Sequence, residues 1–225
     1  MAYSIIIPVY NEYKTIEILL EGLESYHKQN HEIIIIDDGS TDKSLEVLKE
    51  CTFIKLISLQ KNSGKGFSIR EGLNQSINNK TIIFDGDLEL KISHISKLML
   101  LNKQAGISSL MGFRFNSLSP FKSGFDWGNF IFTFFFNVLY RTRHKDILCC
   151  AKSFYKKDIP IKKIKSKSFD IDVELSAIMS INSRGKNIKQ VFFNYSRRTT
   201  NEGKKLKIYD GWAILFRILK IAKFL

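Results

Sequence analysis

The chain is poor in cysteine and has no long apolar run. Its three cysteines, Cys51, Cys149 and Cys150, make no disulfide framework, and the adjacent pair lacks a second pair at zinc-ligand spacing. A reducing compartment is therefore expected. No stretch reaches the roughly 18 apolar residues of a spanning helix, and the very apolar Phe130–Tyr140 is too short to cross. No signal-peptide pattern opens the sequence, and a first strand is expected by Tyr3. Internal repeats, linker composition and known nucleic-acid motifs are also missing. The segment after the first strand, PVYNEYKT, lacks the glycine- and arginine-rich triphosphate loop that a nucleotidyltransferase needs.

Acids are scarce relative to bases. Lys+Arg 35 against Asp+Glu 22 gives a formal charge of +13 over 225 residues. That balance points to an anionic partner: nucleotide, nucleic acid or acidic lipid. The plain alternative is compositional bias in a chain also rich in Ile and Asn. A hydrophobic fraction of 44% is enough for a real core and argues against disorder.

The most informative stretch present is Ile82–Glu89, IIFDGDLE, an apolar strand running into two carboxylates one residue apart. In extended backbone, residues i and i+2 share a side, so Asp85 and Asp87 face one spot beyond the strand. Such a pair repels itself unless a proton or cation intervenes, and a hard ion such as Mg²⁺ or Mn²⁺ suits oxygen ligands. A polar turn is the plainer reading of Asp-Gly-Asp.

Strand patterns recur at Ser4–Tyr10, Glu32–Ile36, Phe53–Leu59 and Thr81–Phe84. Helical spacing marks Tyr13–Tyr26, a short helix capped by Ser40 or Thr41 and running to Glu50, and a helix through Ile69, Leu73 and Ile77. The alternation predicts an α/β fold with a mostly parallel central sheet flanked by helices. In such sheets ligands bind beyond the carboxyl ends of the strands. Three strand ends carry polar residues: Tyr10-Asn11-Glu12, Asp37-Asp38-Gly39-Ser40 and Asp85-Gly86-Asp87. They predict one nucleotide-sized site on one edge of the sheet. Later elements are a strand at Gly106–Phe115, an aromatic helix or interfacial segment at Phe130–Tyr140, a helix at Phe169–Asn182 opened by Asp170, Asp172 and Glu174, and a strand at Lys189–Tyr195. His27 and His31 read as a surface pair, and His94 and His144 receive no role.

An ordered series of motifs resembles the family 2 glycosyltransferases of the GT-A fold, with the dolichyl-phosphate mannose synthase-like branch as the nearest likeness. The series runs IIPVYNE at Ile6–Glu12, IIDDGSTD at Ile35–Asp42, NSGKGFSIREG at Asn62–Gly72, DGDLE at Asp85–Glu89, GFRF at Gly112–Phe115, DILCCAKSF at Asp146–Phe154 and RTTNEGKK at Arg198–Lys205. Three departures are Glu89 where relatives often have Gln, a missing Gly-Phe at Cys150-Ala151-Lys152, and the C-terminal membrane helices of some relatives, which are not expected here.

The resemblance implies a Rossmann-like GT-A fold as a single domain over 1–225. Residues 1–105 would bind the nucleotide sugar, 106–211 the acceptor, and 212–225 would form an amphipathic basic tail. It implies an inverting, metal-dependent transfer of sugar from a nucleoside-diphosphate sugar to a polyprenyl-phosphate or lipid-linked acceptor. A hydroxyl of a cell-surface glycan is the alternative acceptor, and a non-enzymatic basic nucleic-acid-binding module is the alternative of another class. Pro8, Tyr10, Glu12, Ile36, Asp38, Asp85 and Gly86 would meet the nucleotide. Asp85, Asp87 and Glu89 would hold Mg²⁺ or Mn²⁺. Arg114, Arg198 and Lys204 would meet phosphates, with Asp87, Arg114 and Asp172 as catalytic residues. A base would be needed only for a hydroxyl acceptor, with Asp170, Asp172 or Glu174 as the candidates. Lys65 is read as solvated, its neighbouring glycines as allowing a tight turn near the nucleotide. The expected setting is cytoplasmic, with the tail either in peripheral contact with the inner face of an anionic membrane or packed on the core as a last helix; nucleic acid is not expected as a partner.

Overall fold

The computed structural model describes residues 1–114, 124–183, 188–198 and 210–222. Seven strands form one sheet: β1 Tyr3–Val9, β2 Glu32–Asp37, β3 Lys55–Ser58, β4 Lys80–Ile83, β5 Ser109–Phe113, β6 Lys152–Tyr155 and β7 Ile188–Phe192. Among the described residues six α-helices accompany them: α1 Ile16–Lys28, α2 Ser44–Glu50, α3 Lys65–Gln75, α4 Gly124–Tyr140, α5 Ile171–Ser183 and α6 Asp210–Ala222. The strand order is β3-β2-β1-β4-β6-β5-β7. Only β6 runs antiparallel to its neighbours β4 and β5; the other pairs are parallel. This is the mostly parallel α/β sheet that the strand and helix patterns predict.

The isoleucine runs explain the layers. Period-2 alternation sends Ile5, Ile7, Ile33, Ile35 and Phe84 to one face, against Leu19 and Leu23 of α1. Ile6, Ile34, Ile36 and Ile83 point to the other, against Ile69 and Leu73 of α3 and Ile171 and Leu175 of α5. Covered on both faces, β1 and β2 read as continuous apolar runs, as buried parallel strands do. A third cluster, with Phe136, Val173, Ala177, Ile214 and Ile218, joins α4, α5 and α6.

Several boundaries differ from expectation. Strand β6 was not anticipated. Lys152, wholly buried within it, breaks the apolar pattern that would have marked a strand. Ile77 lies beyond α3 and is 80% exposed, because the helix ends at Gln75. Neither Ser40 nor Thr41 caps α2. Ser40 Oγ accepts from Asn11 N at 2.9 Å, Thr41 N donates to Asn11 Oδ1 at 2.7 Å, and Asp42 Oδ1 accepts from Ser44 N at 2.9 Å. The two turns after β1 and β2 are thus tied to each other.

The topology decides where a site forms. The chain leaves β1 for β2 and β3 on one side, then returns to β4 on the other. Beyond the carboxyl ends of β1 and β4 lies the crevice that such a switch point creates.

Candidate active site

A cavity of about 570 Å³ fills that crevice, a size typical of small-molecule sites. Pro8, Tyr10 and Glu12 reach it from the end of β1, Asp38 from β2, and Asp85, Gly86 and Asp87 from β4. Asp38 and Asp87 therefore share one cavity. Glu89, Arg114, Asp172 and Arg198 also line it. Ile36 does not. Its side chain is fully buried under α3, where the space left by Gly72 receives it, so the expected nucleotide contact is corrected to a core role. Lys204 lies outside the described residues.

Lys65, the first residue of α3, departs most from expectation. Its ammonium is 2.8 Å from Asp85 Oδ2 and 2.9 Å from Asp172 Oδ2, with only 10% of the side chain exposed. Burial alone would lower its pKa, but Asp172 and Asp85 hold it well above the ordinary lysine value. Lys65 is a buried bridge between the end of β4 and the start of α5. The only sequence signal for it is its place inside the NSGKG motif.

The glycines of that loop turn the chain beside the cavity and also admit a close backbone contact. Gly64 has φ +93°, and a Cβ there would stand 2.2 Å from Lys167 O. Gly66 N donates to the same carbonyl at 3.0 Å. The loop is glycine-rich because the 166–168 segment packs directly on its backbone. Asp38 completes the arrangement: its carboxylate accepts from Ser63 N at 2.8 Å and Gly64 N at 2.9 Å. Burial raises the Asp38 pKa, and these bonds oppose the rise.

A second cation closes the opposite wall. Arg198 donates to Glu12 through Nη1 at 2.7 Å and Nη2 at 3.1 Å, and Nη2 lies 3.5 Å from Asp87 Oδ2. Glu89 braces the same wall. Its Oε2 accepts from the Tyr195 hydroxyl at 2.7 Å and its Oε1 from Arg198 N at 2.9 Å. Each Glu89 oxygen thus accepts one bond from this wall, and the side chain braces it while lining the cavity. Arg114 is likewise engaged. It donates Nε and Nη2 to Asp146 at 2.8 and 3.1 Å and lies 5.1 Å from the Tyr195 ring centre. Burial opposes the Arg114 charge, but Asp146 raises its pKa well above the ordinary value. Arg197, paired with Asp126 of α4, adds a cation that sequence reasoning did not single out.

The acids keep capacity for an ion. Burial, then Asp85 and Glu89, push the Asp87 carboxyl up to about 7. Asp85 Oδ1 is buried and has no hydrogen-bond partner. An unsatisfied buried carboxylate oxygen beside a carboxyl kept partly protonated suits a hard divalent cation. Among the described residues no three such side chains stand preassembled around an ion. The fit rests on Asp85 and Asp87.

The two histidines left without a role are core residues. His144 Nε2 lies 2.7 Å from Ser180 Oγ, and burial lowers its pKa to about 4. His94 stacks on Phe193 with ring centres 5.0 Å apart.

Comparison with known proteins agrees with this architecture. The family model described as Glycosyl transferase family 2 matches residues 4–160. An undecaprenyl-phosphate 4-deoxy-4-formamido-L-arabinose transferase of Photorhabdus laumondii is 35% identical over 109 residues, covering 45% of this chain and 34% of that protein. The dolichyl-phosphate beta-glucosyltransferase of Homo sapiens is 32% identical over 109 residues, covering 42% and 34%. The matched stretch thus spans about a third of the length of these curated relatives. Among solved structures, glucosyl-3-phosphoglycerate synthase from Mycobacterium tuberculosis, in complex with Mn²⁺, UDP-glucose and glycerol 3-phosphate, superposes with a TM-score of 0.71. That likeness covers 99% of this chain and 80% of the other at 14% identity, and shows the shared fold.

Proposed function

The chain belongs to glycosyl transferase family 2, and from that premise we propose that it is an inverting, divalent-metal-dependent enzyme. It would move a sugar from a nucleoside-diphosphate sugar to a polyprenyl-phosphate acceptor. The observation that carries the reading is the shared cavity in which Asp38, Asp85 and Asp87 meet beside Lys65 and Arg198. Relatives named for undecaprenyl-phosphate and dolichyl-phosphate transfer support the acceptor class. A groove in which carboxylates outnumber cations is poorly suited to a nucleic-acid backbone.

Asp85 and Asp87 would hold the ion. When bound, a divalent cation supplies the positive charge that stabilises a leaving nucleoside diphosphate. The chain's residues account for the rest. Asp38 rigidifies the Ser63–Gly64 turn on the nucleotide side. Arg198 adds a forked cation on the opposite wall, suited to phosphate oxygens. An acceptor phosphate oxygen attacks the anomeric carbon from the face opposite the diphosphate. The carbon–oxygen bond to the diphosphate breaks, and its electron pair leaves with the nucleoside diphosphate.

A phosphate acceptor is already an anion near neutral pH and needs no base. A hydroxyl acceptor needs one. Asp172, the residue expected for that task, is gripped by Lys65 at 2.9 Å and has Lys152 at 3.9 Å. Its carboxylate is thus engaged in holding Lys65 in place, with a second ammonium group close by. That favours the phosphate acceptor over the glycan hydroxyl and makes Asp172 an anchor for Lys65. The proposed setting is the cytoplasmic face of a membrane, with peripheral contact through the C-terminal helix. No described helix is long and apolar enough to cross a bilayer.

The test is a melting-temperature panel of GDP and UDP with and without Mn²⁺, followed by analysis of product from a polyprenyl phosphate. A ligand that binds only the folded state raises the melting temperature. Stabilisation that requires both a nucleotide and the ion is expected. No shift with either nucleotide would remove the basis of the proposal.

A further inference from the structure

Helix α4 is built inside out. Its buried stripe is Asp126, Asn129, Thr133, Phe136 and Tyr140, polar over its first two turns. Its exposed stripe is Trp127, Phe130, Ile131, Phe134, Phe135, Val138 and Leu139. Those positions follow i, i+3, i+4, i+7, i+8, i+11, i+12, the spacing of an amphipathic helix whose apolar face points outward. The sequence from Trp127 to Leu139 contains no charged residue.

Helix α6 continues the same surface. The ring of Phe132 on α4 stands against Gly211, and the Tyr140 hydroxyl donates to Ile218 O at 3.0 Å. Arg217 holds α6 to α5 through Asp170 at 2.9 Å. This orientation buries Ile214 and Ile218 and leaves Trp212, Phe216 and Leu219 outward, 74%, 64% and 48% exposed. Exposed large apolar side chains grouped on two packed helices mark an interaction site.

We infer that the outer face of α4 and α6 docks on an anionic phospholipid bilayer surface. Three features select that occupant. Exposed cations flank the face, Arg141, Arg143 and Lys145 after α4 and Lys220 on α6, while Asp126 and Asp210, the acids of the two helices among the described residues, are not exposed. Cations beside tryptophan and phenylalanine are the composition of a helix lying in the headgroup region. The inner side of both helices also lines the catalytic cavity, through Asn129, Asp210 and Ile214. Docking would therefore set the cavity mouth beside the layer in which a lipid-linked phosphate resides. This last step rests on the proposed acceptor class. It also moves the main membrane contact from the tail alone to α4.

The chain has two tryptophans, and both lie on this face. The test uses their fluorescence with vesicles of phosphatidylglycerol and phosphatidylcholine carrying brominated acyl chains. Expected are a blue shift, quenching of both tryptophans, and co-sedimentation that weakens as salt rises. The double variant F130D/F134D should lower vesicle partition at least tenfold, while I18D/I77D, elsewhere on the surface, should match wild type. Circular dichroism checks that each variant is folded. Unquenched tryptophans, or full binding by F130D/F134D, would overturn the inference. Equal binding to neutral phosphatidylcholine would overturn the anionic assignment. A concentration-dependent dimer that shields the tryptophans without vesicles would assign the face to a second copy instead. No sugar donor is present in this assay. Failure to bind any nucleoside diphosphate would therefore sink the transferase proposal and leave this one standing.

Discussion

Replacing Lys65 with Met tests the electrostatic centre of the site. Lys65 shares its charge between Asp85 and Asp172, whose side chains are 23% and 7% exposed. Met keeps the length and apolar stem but removes the cation, leaving two carboxylates in a poorly solvated place. Removing one partner of a buried ion pair costs roughly 3–5 kcal/mol. For a domain of this size that lowers the melting temperature by roughly 6–20 °C. Calorimetry in metal-free buffer at pH 7.5 measures the loss. Lys65→Arg, which keeps the charge, should retain most of the stability. The site reading adds a second, sharper expectation. An ion on Asp85 replaces part of the missing charge, so Mn²⁺ with a nucleoside diphosphate should raise the melting temperature more in Lys65→Met than in wild type. A variant that melts within about 1 °C of wild type would refute the bridge, since such a difference is under 1 kcal/mol. Equal stabilisation of both proteins by the ion would refute Asp85 as its seat.

Asp87→Asn should lower kcat/KM at least about a hundredfold by weakening charge stabilisation in the transition state, with Mn²⁺ affinity read separately by electron paramagnetic resonance. The same carboxyl sets a pH dependence. Its folded value of about 7 lies above the ordinary 3.8, so the folded state holds the extra proton between them. Metal-free stability should therefore fall as pH rises from about 4 to about 7, and Asp87→Asn should remove that slope in urea titrations. Mn²⁺ affinity should rise over the same range, because the ion needs the carboxylate. Gly64→Ala should cost roughly 2 kcal/mol or more through strain at φ +93° and the clash with Lys167 O. Faster hydrogen exchange at Gly66 and Phe67, whose N–H groups donate to that carbonyl, would show where the loss falls.

Particular residues show how far the sequence could be read. The strands β1, β2 and β4 and the acids at their ends were legible because a parallel strand buried on both faces writes an unbroken apolar run. Its polar end then stands out. Strand β6 was not legible, since its four residues, KSFY, contain a buried lysine and no alternation. Lys65 and Lys152 look like any two of the 35 basic residues in the composition. Only the carboxylates folded around them single them out. Ile36 follows the apolar run correctly, but its side of the pleat faces α3 and away from the cavity. Arg114 was marked by its motif, whereas its lock on Asp146, 32 residues away, is a contact that spacing cannot express.

By itself the sequence determined the fold class and the set of acidic groups available to one edge of the sheet, because periodicity and strand-end composition are local properties of a chain. Tertiary structure decided which of those acids hold cations, which brace backbone, and which side of α4 meets the outside. Charge pairing and burial depend on residues far apart in sequence. The energy of a buried carboxylate is set by the neighbours that folding brings within a few ångströms.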